Sequence, residues 1–233
     1  MTTGSTKHIA IEGRTIALAV RRSARARRMA LRIDSSISGA ELILPPRVSE
    51  SEGLAFAASR GAWLLDKLDQ LPPRTPFRDG AVIPVQGDDI VVRHAPGTTR
   101  TARFENGALL VGGGDDHLAR RVRDWLKREA RRTITPLAWE KAGMIGRKPH
   151  RISIRDQRSR WGSCSRTGGL SFNWRLILAP PPVLDYVVAH EAAHLREMNH
   201  SAAFWSVVDE MTVHAKDGKQ WLRSNGARLH SYG

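Results

Sequence analysis

The segment His190-Glu191-Ala192-Ala193-His194 has the residue types and spacing for hydrolytic chemistry. On a helix, positions i and i+4 lie on one face, so both imidazoles can offer a ring nitrogen to one metal ion. Glu191 sits beside the first imidazole and can reach a water at such a site. A zinc hydrolase needs this pairing of a Lewis acid with a carboxylate that takes a proton. With nine histidines in the chain, the pattern arises by chance about 0.015 times. The plainer alternative is that histidines on such a helix are packing or surface residues.

A zinc site needs a third protein ligand. His200 lies ten residues after His190. At 100° per residue a straight helix would swing it off the shared face, so the chain must turn back first. Asn199 is the expected stop. Metzincins use the same i, i+4, i+10 spacing with glycine at i+7, but here that position is Glu197. Glu197 could reach a metal only with distortion; it fits better as a partner of a ligand histidine or as a solvated residue. Glu210 is a further rival from a second helix. His200 is the preferred third ligand.

Other residues have two readings each. Tyr186, one turn before His190, can donate to a developing oxyanion or pack in the core with its hydroxyl satisfied. His214 can stabilise a transition state or lie on the surface. Arg158, Arg160 and Trp161 precede Gly162-Ser163 and can line a cleft that binds substrate; the alternative is a tight turn over a packed Trp. Cys164 is the one cysteine, which excludes an intramolecular disulfide and a multi-cysteine zinc site. It reads as a small buried residue.

The elements that must position these groups follow from periodicity and punctuation. Residues 9–11, 15–20, 29–33 and 41–44 read as short strands ended by Pro45-Pro46. Ser49 and Glu52 form a capping box, and apolar positions 54, 58, 62, 65 and 68 predict a helix up to Pro72-Pro73. Strands follow at 90–93 and 108–111. Gly112-Gly113-Gly114 reads as a flexible joint, since it lacks the Lys-Ser/Thr of a phosphate loop. The division expected there separates a strand-rich region, 1–112, from a catalytic domain, 115–233. A long helix carries Leu118, Val122, Trp125, Leu126 and Ala130, with Pro136 kinking it or starting another that ends near Gly143. Residues 151–155 and 170–178 read as strands. Pro181-Pro182 opens the metal helix, Ser201 caps the next, and Trp221 and Leu222 belong to a last one. No internal repeat is visible. Strands first and helices later predict an α+β protein.

The 233-residue chain can bury a core without disulfides. Its 37 Lys and Arg against 23 acids give a formal charge of +14, which excludes an acidic surface and suits acidic partners. Three basic runs, 14–32, 120–132 and 147–160, would bind phosphate if folding gathers them on one face. No apolar run has membrane-spanning length, and the N-terminus lacks a secretory signal's apolar stretch, so the expected location is cytoplasmic. The oligomeric state is left open.

An ordered series of motifs spans roughly residues 155–205: Arg160-Trp161-Gly162-Ser163-Cys164-Ser165, Ser171-Phe172-Asn173-Trp174-Arg175-Leu176, Asp185-Tyr186-Val187-Val188, His190 to His194, Met198-Asn199-His200-Ser201 and Phe204-Trp205. It resembles the YgjP-like metallopeptidase domain family, related to the SprT-like and WLM zincins. The resemblance implies Zn2+ held by His190, His194 and His200, Glu191 as the catalytic carboxylate, and a small zincin-like core with a short sheet on the active-site helix. The expected activity is zinc-dependent cleavage of a peptide or protein. The alternatives are a metal-dependent nucleoside triphosphate pyrophosphatase, and a basic nucleic-acid-associated protein, including a protease acting on DNA-bound proteins.

Overall fold

The computed structural model describes residues 5–34, 37, 39–97, 101–157 and 160–233. The architecture is α+β, as expected. The chain forms two compact units, Met1–Pro73 and Arg74–Gly233.

In the first unit, β1 (Ser5–Ile11), β2 (Arg14–Arg22), β3 (Ala30–Asp34) and β4 (Gly39–Leu44) form a sheet ordered β1-β2-β4-β3. β1 and β3 pair antiparallel with their neighbours, and β2 runs parallel to β4. Helices α1 (Glu50–Ser59) and α2 (Gly61–Asp69) supply Ala57, Leu64 and Leu65 to a core with Ile16, Leu18, Leu42 and Leu44. The Ser49–Glu52 capping box is present. The single helix expected there is two, parted at Arg60 (φ −101°, ψ 18°). A methyl group on Gly61 would meet Ile11 Cγ2 at 2.7 Å, so the second helix starts where the backbone must lie against β1.

The second unit starts with the same strand plan. β5 (Val82–Val85), β6 (Asp88–Ala95), β7 (Ala102–Glu105) and β8 (Ala108–Gly112) are ordered β5-β6-β8-β7, again with a parallel central pair and antiparallel flanks. The first hairpin of each sheet turns on a residue pair at positive φ, Glu12-Gly13 (48°, 76°) and Gln86-Gly87 (54°, 97°). Leu42 and Leu44 are the fully buried leucines of β4, and Leu109 and Val111 are the fully buried residues of β8, the strand in the corresponding place of the second sheet. The chain therefore repeats a four-stranded plan that its sequence did not reveal, because strands this short share little beyond apolar alternation.

The division expected between 1–112 and 115–233 falls inside this second unit. Gly113, at φ +78°, is pinned rather than loose. Its carbonyl is 2.6 Å from His94 Nε2, Arg121 donates to the Gly112 carbonyl, and a Cβ on Gly113 would strike the Arg121 guanidinium.

Helix α3 (Leu118–Met144) is one helix with Pro136 inside it. All five residues expected on its apolar stripe are buried, and the stripe extends through Ile134 and Ala138. Beside it lies a sheet ordered β10-β11-β9, built from β9 (Arg151–Arg155), β10 (Gly162–Cys164) and β11 (Gly169–Asn173). The strand expected over 170–178 ends at Asn173. Its side-chain oxygen accepts the Arg175 N–H, and Trp174–Leu178 form a 3-10 turn instead.

The last three helices are α4 (Pro181–Ala193), α5 (Ala202–Met211) and α6 (Ala215–Ser231). α4 is buried on nearly every face, the pattern of a core helix. Ala189, Ala192 and Ala193 are small enough to admit Phe204, Val207 and Val208 of α5. Lys141 of α3 donates to the Met211 carbonyl at 2.6 Å and pairs with Asp185 of α4 at 2.6 Å, and Thr212 donates to the same carboxylate. One buried charge pair thus ties three helices. No described helix is long and apolar enough to cross a membrane.

Candidate metal centre

α4 ends at Ala193, with His194 as its C-cap, well before the stop expected at Asn199. The Leu195 and Arg196 N–H groups bond to the Ala192 and Ala193 carbonyls, a tightening turn that reverses the chain at once. Leu195 packs on the core and anchors that turn. Asn199 acts one step later, accepting the Ser201 N–H at 3.2 Å just before Ser201 caps α5. No glycine is needed at position 197, because the turn is complete before it.

The result brings His190, His194 and His200 together, with ligand atoms all within 4.8 Å of one another. The Nε2 atoms of His190 and His200 are 3.2 Å apart. Two imidazoles sharing a tetrahedral ion at about 2.05 Å would stand about 3.3 Å apart, so the residues present fit a metal ion. His194 Nδ1–H donates to the Glu197 carbonyl at 3.0 Å, which turns Nε2 toward the cluster. Glu197 is thus a partner of a ligand candidate through its backbone rather than its side chain. Glu210 is engaged elsewhere, 3.4 Å from Arg196.

Burial lowers the pKa of His190 to about 4, aided by the positive charge of His194, His200 and Lys219. Burial also lowers that of His194. Both rings are therefore neutral at pH 7, with lone pairs to offer. Phe204, fully buried, lies under all three, its centroid 4.9, 4.6 and 4.7 Å from those of His190, His194 and His200. Trp205 flanks the outer pair at 5.8 and 6.2 Å.

Glu191 is 7% exposed, and its carboxylate lies against β10. A Cβ on Gly162 would stand 2.4 Å from Glu191 Cγ and 2.6 Å from Oε1, so only glycine leaves room there. Burial raises the Glu191 pKa to about 7, against the opposing pull of Arg160. A carboxyl poised near neutrality can both accept and return a proton. Burial, and then the Glu191 charge, raises the pKa values of Tyr186 and Cys164, the latter to about 11. Cys164 therefore stays a thiol. The Tyr186 ring meets His190 edge-on at 5.9 Å and is overlaid by Gly218 of α6, whose Cβ would come within 2.9 Å of the ring.

Arg160 is exposed, and Arg158 lies outside the described residues. Trp161 stacks on His230 at 4.6 Å and lies against Gly226, so its ring packs on α6. His214 precedes α6 as its N-cap. Sequence reasoning missed the residues that hold this constellation. Gly162 and Phe204 are two, and Asn173 is a third. Fully buried, Asn173 takes the Trp161 carbonyl on its N–H and the Gln157 carbonyl on its side-chain amide, fixing the loop before β10. The only signal for them was their place inside the motif series.

The basic runs are partly consumed by structure. Arg14 and Arg21 pair with Asp69 and Glu41, and Arg22 donates to the Val48 carbonyl. Arg120 and Arg132 pair with acids of their own helix, and Arg128 donates to the Ala102 carbonyl.

The family described as YgjP-like, metallopeptidase domain, matches residues 27–225. Among solved structures, the metallopeptidase zymogen of Pyrococcus abyssi abylysin is 19% identical over 40% of this chain and 94% of its own, with a TM-score of 0.37. No curated protein matches.

Proposed function

Since the chain belongs to the YgjP-like metallopeptidase domain family, we propose that it is a zinc-dependent peptidase whose metal is held by His190, His194 and His200 and whose general base is Glu191. The observation that carries this reading is the convergence of three imidazoles beside the buried Glu191 carboxyl. A zinc ion there would polarise the scissile carbonyl and make water acidic enough to attack it at neutral pH.

The chain's own residues supply the rest. Glu191 takes the proton from the attacking water and returns it to the leaving nitrogen. Tyr186 keeps its proton at neutral pH and is proposed to donate to the negative charge developing on the carbonyl oxygen. Among the described residues β10 is a sheet edge, paired only with β11, and an extended peptide can add to its free side. Arg160 and Trp161 belong to the segment that leads into this edge, and they are proposed, with Arg158, to contact that peptide.

The test compares wild type, Glu191→Gln and His190→Ala/His194→Ala by zinc content and peptide cleavage. Glu191→Gln is expected to hold about one zinc per chain and lose turnover, and the double variant to lose both. Full activity in Glu191→Gln would end the mechanism. Turnover of nucleoside triphosphates without any peptide cleavage would replace it with the nucleotide reading.

A further inference from the structure

α5 and α6 leave between them a groove of about 620 Å³ that the reaction above does not use. Trp205 and Asp209, one turn apart on α5, form one wall. Lys216, Lys219 and Arg223 form the other, at i, i+3 and i+7 on one face of α6. The groove opens beside His190 and His200. Trp205 flanks His190 and His200, and Lys219 is near enough for its charge to act on His190. All three cations are exposed, and among the described residues none has an ion-pair partner. Lys219 Nζ instead lies 5.0 Å from the Trp205 ring centroid. Like charges three and four residues apart repel, so an anion seated here would relieve α6.

We propose that this groove is a subsite for acidic residues of a peptide substrate, next to the bond cut at the metal centre; the assignment rests on the peptidase reading. Its dimensions favour a peptide over a nucleic acid. From Lys216 to Arg223 the helix advances about 10 Å, the span of about three residues of extended chain. Asp209 in the facing wall would repel a continuous polyanion but tolerates one or two carboxylates.

The experiment measures fluorescence anisotropy of labelled ten-residue peptides bound to the zinc-loaded, full-length Glu191→Gln protein. The peptides carry Glu, Gln or Lys on either side of a common central pair. Three exposed charge contacts worth a few-fold each give the Glu peptide about a tenfold advantage over the Gln peptide at low salt. High salt should shrink that advantage. Lys216→Glu/Lys219→Glu/Arg223→Glu should reverse the preference toward Lys. If circular dichroism shows that variant misfolded, Lys219→Ala should still reduce the advantage. Equal binding of all three peptides, or a preference that survives the substitutions, would overturn the proposal. So would displacement of the Glu peptide by a nucleoside triphosphate or a single-stranded oligonucleotide at lower concentration than by unlabelled Glu peptide. Cleavage assays on the wild type separate the two claims. No cleavage of any peptide with the binding preference intact would end the peptidase reading and leave the groove. Cleavage of all three at equal kcat/KM with equal binding would end the groove assignment alone.

Discussion

Gly162 shows how finely the centre is set at the level of single residues. A methyl group there would overlap the Glu191 side chain, at 2.4 Å from Cγ, and push the carboxylate away. Gly162→Ala is expected to retain zinc, because the three atoms nearest the added methyl all belong to Glu191, and to lower kcat about 100-fold, a loss that moving a catalytic group by about 1 Å can cause. Metal analysis beside a peptide assay checks this; undiminished turnover would mean that Glu191 has slack to move. Tyr186 invites a similar test. Tyr186→Phe should leave zinc content unchanged and lower kcat about 100-fold, as loss of one oxyanion donor does. Unchanged kcat would assign the ring to packing under Gly218.

Among the elements, the loop between β9 and β10 matters most, since it carries Arg160 and Trp161 into the edge strand. Asn173 ties it from inside, and the Arg175–Asp156 pair closes it from outside, with the Arg175 guanidinium 4.3 Å over the Trp174 ring. Burial alone would raise the Asp156 pKa, but the Arg175 hydrogen bond and charge reverse the sign and lower it. A carboxyl lowered on folding contributes stability above its unfolded pKa of about 3.9, and that contribution is lost as pH falls through the folded value. Asp156→Asn should therefore unfold at lower urea than wild type at pH 7, and the gap should narrow as pH drops below about 4. A gap independent of pH would mean that the aspartate acts by packing.

For the molecule as a whole, metal binding and stability are linked. The three ligand candidates come from α4 and the turn after it, so an ion bound to them would hold that reversal closed. Zinc at about 1,000 times its dissociation constant would stabilise the fold by about 4 kcal/mol. Chelation should lower Tm in the wild type and leave His190→Ala/His194→Ala unchanged; an equal shift in both would place the effect outside this centre. The sequence by itself determined the candidate ligand pair and the local elements. The spacing of His190 and His194 sets one helix face, the Ser49 and Ser201 caps follow from side-chain hydrogen bonding, and the α3 stripe follows from periodicity. All three are short-range and are written in neighbouring residues. Tertiary structure alone decided that α4 stops at Ala193, that Phe204 supports all three imidazoles, that Gly162 makes room for Glu191, that the triple glycine is pinned, and that a four-stranded plan occurs twice. Each depends on surfaces brought together from distant parts of the chain, where close packing and the need to satisfy buried polar groups outweigh local propensity.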